Sequence, residues 1–165
     1  MSTTAESGVS TVESGNLEAK ALDTVRNHVY VSMGFGLLPI PGFDMISIGG
    51  TQLDMVRKLA NIYGHTFKSE AVKASIAALV GTFTPIAFAG PVSSLLKLVP
   101  ILGSTAGGLS LAMTAGASTY AVGKVFIQHF EAGGTLLDFN PSEMKNYFAE
   151  HYGEGMKVAS EAKKA

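Results

Sequence analysis

The sequence has no cysteine, which excludes a disulfide framework, a thiolate zinc site, a thiol nucleophile and S-acylation. Tryptophan is absent too, so any aromatic anchoring at a water–lipid boundary falls to tyrosine and phenylalanine. Charge is scarce: 15% of residues are charged and 47% are hydrophobic, against about 25% charged in an ordinary soluble domain. Twelve basic and 13 acidic residues leave a net charge of -1, which gives no global attraction to nucleic acid. Residues 1–20 lack the basic region and apolar run of a signal peptide. Catalytic patterns are missing as well: there is no GxxxxGK[ST], GxSxG or HExxH, and Gly34-Phe35-Gly36 lacks the third glycine of a dinucleotide loop. His28, His65, His129 and His151 are scattered, and His151 with Glu154 on one helical face makes no closed metal site. The expectation is a protein without cofactor or metal that is not an enzyme.

What the sequence does have is glycine, 19 residues of it, a type used with other small residues where membrane helices approach closely. It also has helical periodicity. Asn16 can cap a first helix carrying Leu22, Val25, Val29 and Met33 at spacings of three and four. That helix must stop at Leu38-Pro39-Ile40-Pro41-Gly42, where two prolines remove backbone donors. A second helix reads from Phe43 to Tyr63, with Asp54 placed four before Lys58 and Gly64 as C-terminal cap. Beyond Lys73 come 23 residues without formal charge, 74–96, and beyond Lys97 another 26, 98–123. A straight helix of 23 residues is about 35 Å long, enough for a hydrocarbon core of about 30 Å, though Pro85 and Gly90-Pro91 bend or end the first stretch.

Both stretches would need complete cover in a soluble bundle, and the other helices look too few to give it. The expected fold is therefore all-α and membrane-embedded, with two hydrophobic helical hairpins, four main helices, and a C-terminal amphipathic helix. Its parts are a disordered cytoplasmic tail over 1–16, a hairpin domain over 17–134 and the last helix and tail over 135–165. Asn140-Pro141-Ser142-Glu143 is a helix-start pattern for that last helix, which should lie on a surface and be weakened by Gly153 and Gly155. The hairpins turn at Pro39, Pro41 and Gly42 and at Pro100 and Gly103, matching at an offset of 61; chance likeness between apolar, glycine-rich helices is the alternative. Arg57, Lys58, Lys68, Lys73 and Lys124 on one side and Lys97 alone on the other put both termini in the cytoplasm.

Two sets of residues are candidates for function. Ser104, Gly108, Ala112 and Gly116 stand four apart and make a small-residue stripe for close helix packing, with a homo-oligomer as the expected result. Asp44 and Asp54 are acids in the apolar part that either line a proton or cation path or serve structure, Asp44 as a helix cap and Asp54 as the partner of Lys58. The readings that follow are a membrane-inserted structural or interaction protein that self-associates and recruits a cytoplasmic partner, a small channel or transporter subunit with Asp44 near the path, and a soluble lipid- or partner-binding bundle.

The segments PIPGFD over 39–44, QLDMVRKLANIYG over 52–64, LKLVPILGSTAGG over 96–108 and AVGKVFIQHFEAGG over 121–134 resemble the bacterial family called domain of unknown function 697. The resemblance covers roughly residues 21–134. It implies a membrane-associated helical hairpin module in a bacterial membrane, inner or intracytoplasmic, and a possible cytoplasmic GTPase partner, since some members are fused to or encoded with small P-loop GTPase domains. This chain has no such domain of its own, and the family supplies no catalytic residues.

Overall fold

In the computed structural model the described residues are 3–37, 43–88 and 106–164. They form five helices: α1 (Thr3–Gly36), α2 (Phe43–Ile62), α3 (Ser69–Phe88), α4 (Ala106–Glu131) and α5 (Lys145–Lys164). The all-helical expectation holds among these residues. The turns assigned to Pro39, Pro41 and Gly42 and to Pro100 and Gly103 lie outside them, as does Ser104.

The helix ends follow local chemistry. After α2, Gly64 takes φ +73°, the Gly64 N–H donates to Asn61 O and the His65 N–H donates to Ala60 O at 2.8 Å. After α4, Gly133 takes φ +85°, and the Gly133 and Gly134 N–H groups donate to Phe130 O and His129 O. Both satisfy carbonyls that a helix end leaves orphaned, with glycine supplying the left-handed backbone. Asn140 accepts from the Ser142 N–H at 3.1 Å and donates to Glu143 at 2.7 Å. That start pattern builds a turn over 141–144, and α5 proper begins at Lys145.

Helix α4 is the centre of the packing, flanked by α1, α2 and α5. Val122, Val125, Phe126 and Phe130 of α4 bury against Val25 and Val29 of α1, Met55, Val56 and Leu59 of α2 and Phe148 of α5 in one core. Phe126 stacks on Phe139 at 4.4 Å between ring centroids. Over residues 112–123 of the second uncharged stretch, this corrects the expectation that too few helices exist to cover it. Small side chains explain the close cover: a Cβ added at Gly36 would lie 2.6 Å from Ala112 Cα, and one at Gly155 2.8 Å from Ala117 Cα.

Three other expectations change. Helix α1 begins at Thr3, well before Asn16: no proline interrupts 3–16, and a helix already nucleated in its packed part propagates at little cost, so residues 3–16 of the expected tail are helical. Helix α5 continues through Gly153 and Gly155 to Lys164 and buries Phe148, His151, Gly155 and Ala159; it is a packed member of the bundle, solvated on one face only. Among the described residues no helix is long and apolar enough to cross a membrane. The physical reason is that absence of charge is not hydrophobicity: α3 opens with Glu70 and Lys73, and α4 is built heavily from Gly, Ala, Ser and Thr.

Candidate functional site

Side-chain contacts fix the register of the bundle. Val25 of α1 and Met55 of α2 both meet Gly123 of α4. Farther along, Thr119 donates to Ser32 at 2.8 Å, and the Gln52 amide donates to Ser118 at 3.2 Å and to Thr119 at 3.3 Å. Farther still, Gly36 meets Ala112. Helix α4 therefore runs parallel to α2 and antiparallel to α1, and contacts of Tyr120 with Glu154, Ala117 with Gly155 and Gly116 with Ala159 make α5 antiparallel to α4. The Ser32, Gln52, Ser118 and Thr119 hydroxyls and amide are buried, and they satisfy each other across three helices, as buried polar groups must.

The level of Val25, Met55 and Gly123 divides the molecule. Arg26 is the last charged residue of α1, Lys124 the first of α4, and Asp54 the first of α2 after Asp44, so beyond a shared plane α1 and α4 carry no charge, α2 carries Asp44, and α5 carries Lys157, Glu161, Lys163 and Lys164. Helix α3 has no charge after Lys73. On the charged side the helix caps gather: Tyr63 donates to Glu131 at 2.8 Å, and His65 stacks on Phe130. Burial and the Glu131 carboxylate push the Tyr63 phenol up, so it stays a donor. On the other side the exposed large apolar residues are Tyr30, Val31, Leu37, Ile46 and Leu111, with only Leu17 and Leu137 outside it among the described residues.

At the dividing plane an open groove of about 460 Å³ lies between α1 and α2, lined by Asn27, His28, Val31, Phe35, Thr51, Asp54 and Lys58 among others. Asp54 accepts from Lys58 Nζ at 2.8 Å and lies 3.1 Å from His28 Nε2. His28 Nδ1 sits 2.6 Å from the Thr24 carbonyl, an acceptor, so that nitrogen carries a hydrogen. Its Nε2 is 3.5 Å from Lys58 Nζ: a neutral ring accepts there from Lys58, and a protonated ring donates to Asp54. Lys58 first and His28 second hold the Asp54 carboxyl below the usual carboxylate range.

A proton affinity lower in the folded chain than in the unfolded one means that Asp54 stabilises fully above its unfolded value of about 3.9 and loses that contribution as pH falls through the folded value. The pair is half exposed, so its worth is below about 1 kcal/mol. Asp54→Asn should lower the thermal midpoint slightly at pH 7, by an amount that shrinks progressively as pH falls below about 3.9; a gap that does not shrink on acidification would place the effect elsewhere.

The sequence-derived candidates divide accordingly. Asp54 pairs with Lys58 on the outside of the bundle, and the structure adds His28, which no sequence spacing links to it. Asp44 lies in the first turn of α2, and its side chain is outside the described residues. Gly108 lies in α4; Ala112 and Gly116 are buried within the chain, Ala112 against Gly36 and Gly116 against Met33 and Ala159. His151 Nδ1 and Glu154 are 2.6 Å apart, an ion-pair geometry in which His151 holds the Glu154 carboxyl down.

Residues 10–154 match the family described as a domain of unknown function, DUF697. The chain belongs to this family. It is 30% identical over 154 residues to "Magnetosome membrane protein 22" of Magnetospirillum gryphiswaldense, across 93% of this chain and 79% of that protein. No solved structure matches it.

Proposed function

We propose that this DUF697 protein is a structural component of a bacterial membrane, with the bilayer as its main partner and no catalytic role. The carrying observation is the shared plane beyond which α1 and α4 carry no charge and α2 only Asp44. The relative's name supports the membrane setting. Recruitment of a cytoplasmic partner belongs to the same reading, and residues 13–20 of α1, all exposed, offer a helical arm for it; a GTPase is the partner class that the family resemblance implies. Assembly with further copies would use surface other than Ala112 and Gly116, which α1 and α5 already cover. The start of α1 then stays on the cytoplasmic side, while the last turn of α5 lies at the opposite end of the bundle.

Flotation with vesicles, and fractionation of cells before and after a carbonate wash, test the membrane reading. The chain should float and stay with the membrane pellet; recovery in the supernatant without any wash would end it. Mass in mild detergent reads assembly, and a single-chain mass would remove self-association.

A further inference from the structure

We infer that the groove between α1 and α2 is a binding site for one zwitterionic amphiphile, a phosphoethanolamine head on an acyl chain. The inference goes beyond the membrane reading above, since a single lipid can be held in this groove whether or not the bundle enters a bilayer.

The groove is ordered along its length. Because α1 and α2 run antiparallel, Asn27 and His28 lie beside Asp54 and Lys58 at one end, and Val31 and Phe35 pass Thr51, Gly50 and Ser47 toward the other. From Ser47 to Lys58 is 11 residues of α2, roughly 16 Å. That is about the reach of one acyl chain, half of a hydrocarbon core about 30 Å thick. The volume of about 460 Å³ falls within the roughly 300 to 1,000 Å³ of small-molecule sites. Val31 is 49% exposed, an apolar wall that a chain would take out of water. A Cβ added at Gly50 would meet nothing within 4 Å, so bare backbone forms part of the floor. The Thr51 hydroxyl already donates to Ser47 O at 2.8 Å and asks for no further acceptor.

The polar end selects the head. Asp54 and Lys58 stand 2.8 Å apart and both are half exposed, so a head with charge of one sign meets attraction and repulsion at almost the same place. A head that carries both signs gains at both. The contacts of Asp54 with Lys58 and with His28 fall on Oδ2. Among the described residues Oδ1 makes none, and it is left to accept from a ligand ammonium. Lys58 and the Asn27 amide are the donors for the phosphate. His28, its side chain only 9% exposed, backs the carboxylate from inside the bundle.

Short-chain lysolipids, each kept below its micellar concentration, can be titrated into the full chain and followed by NMR at the His28 ring and the Val31 methyls. Lysophosphatidylethanolamine should shift both signals saturably. The choline form, whose ammonium has no N–H, and the glycerol form, which has no cation, should bind about tenfold more weakly, and free phosphoethanolamine, without a chain, more weakly again. Asp54→Asn should reverse the order, weakening the ethanolamine lipid and strengthening the glycerol one, which a purely structural Asp54 would not do. Gly50→Leu, whose side chain enters open space, should block all three lipids and leave the thermal midpoint unchanged or raised. Equal binding of the three heads, an order unmoved by Asp54→Asn, binding undisturbed by Gly50→Leu, or no saturable shift at all overturns the site. Flotation reads the membrane proposal separately. A chain that floats but takes up no lysolipid keeps that proposal and loses this one, and a chain that takes up the lysolipid but does not float does the reverse.

Discussion

Gly155→Ala is expected to destabilise the chain by about 2 to 3 kcal/mol, and Gly153→Ala, two residues earlier on the same helix, to stabilise it by up to about 1 kcal/mol. The opposite signs come from what each new methyl meets. At Gly155 it would lie 2.8 Å from both Cα and the carbonyl oxygen of Ala117 and 3.0 Å from Tyr120 Cβ. Two of those atoms are backbone of the central helix, so α5 must lift off α4 to make room. At Gly153 nothing lies within 4 Å, and alanine there only removes conformational freedom from the unfolded chain. Urea denaturation of both variants reads the difference. A neutral or stabilised Gly155→Ala would mean that α5 does not seat on α4 at that crossing.

The largest single loss is expected at Phe126. Its side chain is fully buried, stacked on Phe139 and 6.0 Å from the Phe130 ring, where α4 meets the connection that leads into α5. Phe126→Ala should cost about 3 to 5 kcal/mol in transfer and cavity terms, a large share of the roughly 5 to 15 kcal/mol that holds a domain together. Leu137→Ala, nearby in sequence but exposed, should stay within about 0.5 kcal/mol. Thermal and urea midpoints for the pair, with helicity measured at low temperature, separate a weakened fold from an unfolded one. A loss at Phe126 no greater than at Leu137 would remove Phe126 from the core.

Much of the fold is legible in the sequence where the signal is local. The glycine caps at Gly64 and Gly133 and the Asp54–Lys58 pair each need only a few neighbouring residues, and each is there; the Asn140 start pattern gives a turn over 141–144 instead, with the helix beginning at Lys145. What resists is anything that depends on partners far along the chain. The uncharged run over 98–123 reads as a span when weighed alone, but α1, α2 and α5 cover its described part. The small residues Ala112 and Gly116 read equally well as a surface for another chain or as a seat for helices of the same one, and only the fold shows which. His28 lies 26 residues from Asp54 and no pattern joins them. An apolar stripe for the last helix reads directly from Met144, Tyr147, Phe148, His151 and Tyr152, and what sequence lacks is the helix it faces.

The close seat of α1 and α5 on α4 also bears on how that part of the molecule is held. Gly36, Ala112, Ala115, Gly116, Ala117, Gly155 and Ala159 have no side-chain rotamers to lose, whereas a leucine or methionine gives up about 0.5 to 2 kcal/mol of freedom when it is fixed. Their burial removes little apolar surface from water, so the hydrophobic gain there is small. Nearly all of that gain is kept, because so little disorder is surrendered in exchange. The two halves of α4 thus reach their stability by different routes: the half with Phe126 and Phe130 through large buried area at an entropic cost, and the half with Ala112 and Gly116 through contact that asks almost nothing of its side chains.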